Sequence, residues 1–325
     1  MKLLILISVL FISISAQPLI FMSSPKVSYS EEYKWVFPTF IDGSSENLFL
    51  AESSRGKFDW ENLRMVYDTP FGLRDPSIIQ VGDTFYCAAT MDAWVEPVDS
   101  IPIMKSTDLE NWTITHYIDM NEKINFVSDT SVIRTWGPEW FEDYNGDIYL
   151  IISIGLSYPG SYWTIHGWEN QQTYCLKSLN NTMTEWGDLQ KLQIDTLALV
   201  NDCYLLKKDN KYYLFYVNEV NPYPDNYHYT QRAESDSFPG FFTTTKEGNW
   251  HGWGRSEGIS IHKIKDKYRA YFDISNIADG ATRVGYSESY DLDSWTPKVD
   301  LNINIYHGTP FRLNIKTNKI IKSNY

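Results

Sequence analysis

One unit recurs five times along this chain, and it restricts the fold more than any other feature. Each copy is a polar residue, then alternating apolar residues, a short turn with Gly, Asp, Asn or Lys, and an aromatic strand. The copies are RDPSIIQVGDTFYCAAT with Asp75, GPEWFEDYNGDIYLIIS with Glu139, NDCYLLKKDNKYYLFYV with Asp202, SEGISIHKIKDKYRAYFD with Glu257, and HGTPFRLNIKTNKIIKS with His307. These leading residues stand 64, 63, 55 and 50 positions apart. A period of this size marks a radial or stacked repeat architecture.

A second half-unit follows most copies: IPIMKSTDLENWT, TYCLKSLNNTMTEWG, YTQRAESDSFPGFF and TRVGYSESYDLDSWT. Each reads as a strand, a Ser/Asp-rich turn and usually a Trp. The fifth copy runs out of chain, and its missing half stands at the other end, in NLFLAESSRGKFDWENL, residues 47–63. Period-two patterning argues strands, and no segment past the N-terminus keeps a 3.6-residue period with caps. Four strands per unit and five units predict an all-β, five-bladed β-propeller whose last blade is closed by the N-terminal segment. Such closure hides strand edges that would otherwise template aggregation. A β-sandwich is the runner-up, but it does not need this spacing.

The remaining features place the chain in a compartment. At 43% hydrophobic and 21% charged residues it can bury a core. Residues 1–16 read as a secretory signal: Lys2, an apolar run from Leu3 to Ile14, then small residues to Ala16. Residues 17–325 then form the single propeller domain, secreted and extracellular. The sequons at Asn111 and Asn180 agree with export. A net charge of −13 with scattered Lys and Arg argues against nucleic acid or an anionic membrane as partner. The expected form is a monomer. Cys87, Cys175 and Cys203 each sit in an apolar run and read as small buried hydrophobes, with one disulfide plus a free thiol as the alternative.

In a propeller the innermost strands run along the axis, so their starts gather at one end. The repeat therefore predicts Asp75, Glu139, Asp202, Glu257 and His307 around a shared opening, at the same point of successive blades. Converging carboxylates are costly, and proteins keep such costs mainly at working sites. Two or three acids on one pocket suit glycoside hydrolysis: a protonated acid serves the leaving oxygen and an ionised one activates water. A third acid nearby can raise the donor's pKa.

At these residues the chain resembles glycoside hydrolase family 43, over about residues 45–315. FGLRDPSIIQVGDTFY is similar to the motif bearing the general base, which implies that role for Asp75. LVNDCYLLKKDNKYYLFY is similar to the motif whose Asp tunes the acid and orients the sugar, here Asp202. SEGISIHKIKDKYRAYF is similar to the motif of the general acid, here Glu257. TWGPEWF, with Glu139, resembles a motif near the substrate pocket. HGTPFRL resembles one whose His, here His307, lies on the axis and in some members binds a metal, often calcium, through water. The resemblance thus implies no required cofactor, with calcium near His307 as the candidate ion. Ile259, Cys203 and Gly137 depart from the family's usual residues, and they bear on the substrate more than on activity.

The implied substrate class is plant cell-wall pentosan: arabinan, arabinoxylan or xylo-oligosaccharide, with release of α-L-arabinofuranose or β-D-xylose. The implied course is inversion, with the Asp75 and Glu257 carboxyls roughly 6.5–9.5 Å apart; a separation near 5 Å would mark a retaining enzyme. Trp163, Trp168, Trp250 and Trp253 are the aromatic candidates for sugar stacking. Arg74 and Arg283 are candidates for reaching the sugar. Trp112, Trp186 and Trp295 read as blade-packing residues. An invertase-like or galactan-active hydrolase is one alternative. A sugar-binding propeller without catalysis is the other, though a lectin would repeat one residue type in every blade.

Overall fold

The computed structural model describes residues 33–41, 47–53, 59–69, 72–91, 98–124, 131–157, 171–195, 199–219, 228–276 and 281–322. Among them every regular element is a strand, and the strands form five sheets. The N-terminal strands are β1 (Tyr33–Thr39), β2 (Leu48–Ser53) and β3 (Trp60–Tyr67). The first blade is β4 (Leu73–Val81), β5 (Thr84–Met91), β6 (Ser100–Ser106) and β7 (Thr113–Asp119). The second is β8 (Ser131–Glu142), β9 (Ile148–Ser157), β10 (Gln172–Lys177) and β11 (Gln190–Lys191).

The short β12 (Gln193–Ile194) crosses to the outer edge of the third blade. That blade is otherwise β13 (Val200–Lys208), β14 (Lys211–Asn218), β15 (Tyr229–Ser235) and β16 (Phe241–Lys246). The fourth is β17 (Glu257–Ile264), β18 (Lys267–Asn276), β19 (Ala281–Ser289) and β20 (Val299–Asp300). The C-terminal strands are β21 (Phe311–Asn314) and β22 (Lys319–Ile321).

Alternation along each strand sends neighbouring side chains into different interfaces, because both faces of a blade are buried. On β9, Leu150 and Ile152 pack with Ile101 and Ile103 of the first blade, while Ile151 packs with Leu205 and Leu214 of the third. Five such apolar clusters fill five blade interfaces. The ring closes where Val36, Leu48 and Phe311 meet Ile78 and Phe85, and where Trp35, Phe37 and Trp60 meet Tyr271 and Val284. Trp112 and Trp186 belong to these interfaces, and Trp295 packs at the edge of another. The three cysteines are free and buried.

The last blade is closed by the N-terminal segment, as expected, but with a different strand order. It runs β22-β21-β1-β2-β3. The repeat assigned the place beside β21 to the segment at 319–322. Instead β1, wholly buried from Trp35 to Thr39, pairs with both β21 and β2. Its WVFPT run is apolar enough to be covered on both faces, whereas KII is short and half-exposed. β22 folds to the opposite side of β21, where Ile320 N–H donates to Gln80 Oε1 at 2.7 Å.

Candidate active site

Four inner strands carry the same device, a β-bulge holding one residue at positive φ. The pairing register slips between Arg74 and Ser77, Trp136 and Glu139, Asn201 and Tyr204, and Glu257 and Ser260. The positive-φ residues inside these bulges are Asp75 (51°), Gly137 (53°), Asp202 (45°) and Gly258 (60°). For a non-glycine residue this is a costly conformation, seen most readily for Asp and Asn.

The bulges correct the expectation of four acids at one equivalent point. Asp75 and Asp202 share a position. Glu257 stands one residue earlier, and Glu139 two residues later. Asp75, Asp202 and His307 line one pocket with Gly137, Gly258 and Thr309. Glu139 lines that pocket and also an axial cavity of about 520 Å³ walled by Trp35, Ile78, Phe141, Tyr204, His262 and Phe311. It therefore lies deeper along the axis, where it accepts a hydrogen bond from Thr309 Oγ1 at 2.5 Å.

His307 joins two blades to the site. Its Nε2 forms a 2.5 Å ion pair with Asp75 Oδ1, and its Nδ1 lies 3.0 Å from Asp273 Oδ2. The backbone N–H of His307 also donates to Asp273 Oδ2. Asp75 Oδ2 accepts from Thr90 Oγ1 at 2.7 Å, and Thr90 Oγ1 in turn accepts from Gly137 N–H. Gly258 N–H donates to Asp202 Oδ2 at 3.2 Å.

These contacts separate the acids electrostatically. Burial would raise the Asp75 carboxyl, but the charge and contact of His307, with Arg74 and Thr90, hold it down at about 2. Burial pushes Asp202 up to about 7, with His307 opposing and Asp75, Glu257 and Glu219 adding repulsion. Burial also pushes Glu139 up to about 8, against its bonds to Thr309 and Ser77. Glu257 is biased the other way from a resting proton donor. Burial would raise it, but His228 and then His307 hold it below the ordinary value. Near neutral pH Asp75 has the ionised form that a base needs, and the carboxyls shifted toward holding a proton are Glu139, Asp202 and Asp273.

The other anticipated residues fall as follows. Arg74 lies with its guanidinium 4.8 Å over the Phe40 ring, beside Asp75. Trp253 is a core residue rather than a pocket wall: it is 7% exposed and stacked between His251 and Phe272. Trp250 is anchored by Nε1–H to Thr230 O and does not line the carboxylate pocket. Trp163, Trp168 and the signal-like residues 1–16 lie outside the described residues, as does the side chain of Arg283.

His307, beside which a water-coordinated calcium was expected, has Asp75 on one ring nitrogen and Asp273 on the other. Among the described residues no group of three or more His, Cys, Asp or Glu is arranged to hold a metal.

Sequence reasoning missed Asp273, Thr90, Glu219 and His228. The hairpin supplies the signal that could have found the first two. An antiparallel return strand ends beside the start of its partner, so Thr90 pairs with Arg74 and Asp273 with Glu257. Polar residues ending the aromatic strands therefore belong to the same mouth.

A five-bladed propeller that brings separated carboxylates to one end of its axis defines a class, the propeller glycoside hydrolases. The sequence pattern of glycosyl hydrolases family 43 matches residues 69–290, and the chain belongs to that family. Its fold is similar to that of an exo-1,5-α-L-arabinanase from a bovine ruminal metagenomic library, at 13% identity and TM-score 0.59, covering 83% of this chain and 93% of that one. It is also similar to RS223 β-xylosidase, at 13% identity and TM-score 0.56 over 86% and 93% of the two chains. An α-L-arabinofuranosidase from Lactobacillus brevis is 15% identical, with TM-score 0.50 over 69% and 71%. A comparison with curated proteins found no match. At these identities the likeness to solved structures speaks for the fold, and the family match carries the enzyme class.

Proposed function

We propose that this glycoside hydrolase is secreted and cleaves plant cell-wall pentosans, releasing α-L-arabinofuranose or β-D-xylose with inversion. The observation that carries this reading is the set Asp75, Asp202 and Glu257, delivered by three inner strands, with Asp75 and Glu257 held below the ordinary carboxylate value and Asp202 above it. In this reading Asp75 takes a proton from water as that water attacks the anomeric carbon. Glu257 gives a proton to the departing glycosidic oxygen. Asp202, on the bulge between them, orients the sugar and keeps a carboxyl that favours its proton. The arabinanase, xylosidase and arabinofuranosidase names of the structural neighbours supply the substrate class. No step needs a metal.

The test is reducing-sugar release from arabinan and arabinoxylan by the mature protein and by Glu257→Gln, with product and anomer read by NMR. An active parent, an inactive variant and an inverted first-formed pentose would uphold the reading. Retention would favour the invertase-like alternative. Binding without release in the parent would favour a sugar-binding propeller.

A further inference from the structure

A second buried chain of polar groups leads to Glu257 from behind. Glu219 follows β14, and its Oε2 lies 3.0 Å from His228 Nε2. The other ring nitrogen, Nδ1, lies 3.5 Å from Glu257 Oε2. The side chains are 5%, 15% and 25% exposed in the order Glu219, His228, Glu257, and water reaches neither ring nitrogen. Glu219 is itself held: Asn201 Nδ2–H donates to its Oε1 at 3.4 Å, and Gln171 Nε2–H donates to Asn201 Oδ1 at 2.7 Å.

The backbone holds the ring against the acid. His228 sits at φ 60°, in the left-handed region that few non-glycine residues adopt. Its carbonyl accepts from Ser256 N–H at 2.7 Å, one residue before Glu257. Thr230 Oγ1 and Ser256 Oγ are 2.9 Å apart. The backbone that carries the imidazole is therefore tied to the strand that carries the acid.

We infer that His228 is a positioning residue that stores the proton Glu257 donates, and that Glu219 fixes the imidazole so that Nδ1 is the nitrogen that releases it. This rests on the glycosidase reading above. In the free protein an imidazolium faces two carboxylates. Burial works against that charge, but Glu219 and Glu257 outweigh it and raise the ring's pKa to about 11. Asp75, His307, Asp202 and Asp273 act on Glu257 from the other strands.

When sugar displaces water from the mouth, charge separation becomes dearer and the proton moves from Nδ1 to Glu257 Oε2. Glu257 then passes it to the glycosidic oxygen as the C–O bond breaks. Water supplies the new C–O bond and gives its proton to Asp75. The ring is left neutral, with Nε2–H still toward Glu219. It is recharged through Glu257, the most exposed of the three, while Asp75 returns its proton to solvent. This accounts for a donor whose own surroundings keep it ionised at rest.

The first arm is activity-independent: NMR of ¹⁵N-histidine-labelled protein, with the His228 signals assigned by their loss in His228→Gln. Both ring nitrogens should stay protonated at pH 8, and Glu219→Gln should make the ring neutral there. Titration near the ordinary value of about 6.5 would overturn proton storage. The second arm compares phenyl with 2,4-dinitrophenyl β-D-xyloside or α-L-arabinofuranoside, since the better leaving group needs no proton. His228→Gln should lower kcat/KM at least about 100-fold for the phenyl glycoside and under about threefold for the dinitrophenyl one. Glu219→Gln should lower the basic limb of the pH profile, and it serves if His228→Gln fails to fold. Equal losses on both glycosides, in an active enzyme, would mean that His228 is a strut and would overturn delivery alone. A parent inactive on both would overturn the glycosidase reading together with delivery, with the NMR arm still deciding storage.

Discussion

Gly258 and His307 are packed so closely that a Cβ on Gly258 would lie 2.1 Å from Cγ of His307. The contact joins the fourth blade's bulge to the ring that pairs with Asp75. Gly258 also holds φ at 60°, so any side chain here meets both a clash and backbone strain. Gly258→Ala is expected to push His307 off Asp75 and shift the neighbouring Glu257. Activity should fall about 100-fold or more, since a displacement near 1 Å is enough for that. Kinetics with circular dichroism on the same preparation would check it; an active, folded variant would show that the mouth tolerates the shift.

Asp75→Asn removes the base and the main anionic partner of His307. The expected loss in kcat is about 10²–10⁴-fold. The pair also stabilises the fold over a defined pH range. Asp75 is held below its ordinary value, so its share is present above the unfolded pKa of about 3.9 and fades as pH falls toward 2. His307 is raised, so its share is full below about 6.5 and is lost as pH climbs through its folded value. The variant should therefore lose most Tm between about pH 4 and 6.5, measured by thermal melts across pH.

Glu139 behaves in the opposite sense to Asp75. Its carboxyl is raised from 4.5 to about 8, so the folded state holds a proton that the unfolded chain releases. Stability from this group is full below pH 4.5 and falls as pH rises to 8. Glu139→Gln should flatten that fall, with a smaller difference between Tm at pH 5 and at pH 8. An unchanged slope would mean that Glu139 is not the group responsible.

Leu150 is fully buried between the first and second blades. Leu150→Ala is expected to cost about 2–5 kcal/mol, the range for a core cavity. The loss should appear as a lower urea midpoint. Activity at low temperature should stay near the parent's, because Leu150 is not among the residues lining the carboxylate pocket.

Much of the fold is local in origin and so was legible in the chain. Period-two patterning, turn residues and a repeat of 50–64 positions specify strands, hairpins and their number. The unmatched half-blade at 47–63 announced the closure. The same periodicity carried Asp75, Asp202 and His307 to one pocket with Gly258, next to Glu257, without any knowledge of distances.

What the chain alone left undecided depends on partners far away in sequence. The bulges offset Glu257 and Glu139 from the Asp positions by single residues, and a bulge is a property of two paired strands. β1 took its place beside β21 because an apolar run is covered on both faces there. Trp253 went into the core through stacking on Phe272. Glu219, His228 and Asp273 enter the site from return strands and loops. The ionisation of His228 and Asp273 follows from burial and facing charges, which exist only once five blades close around the axis.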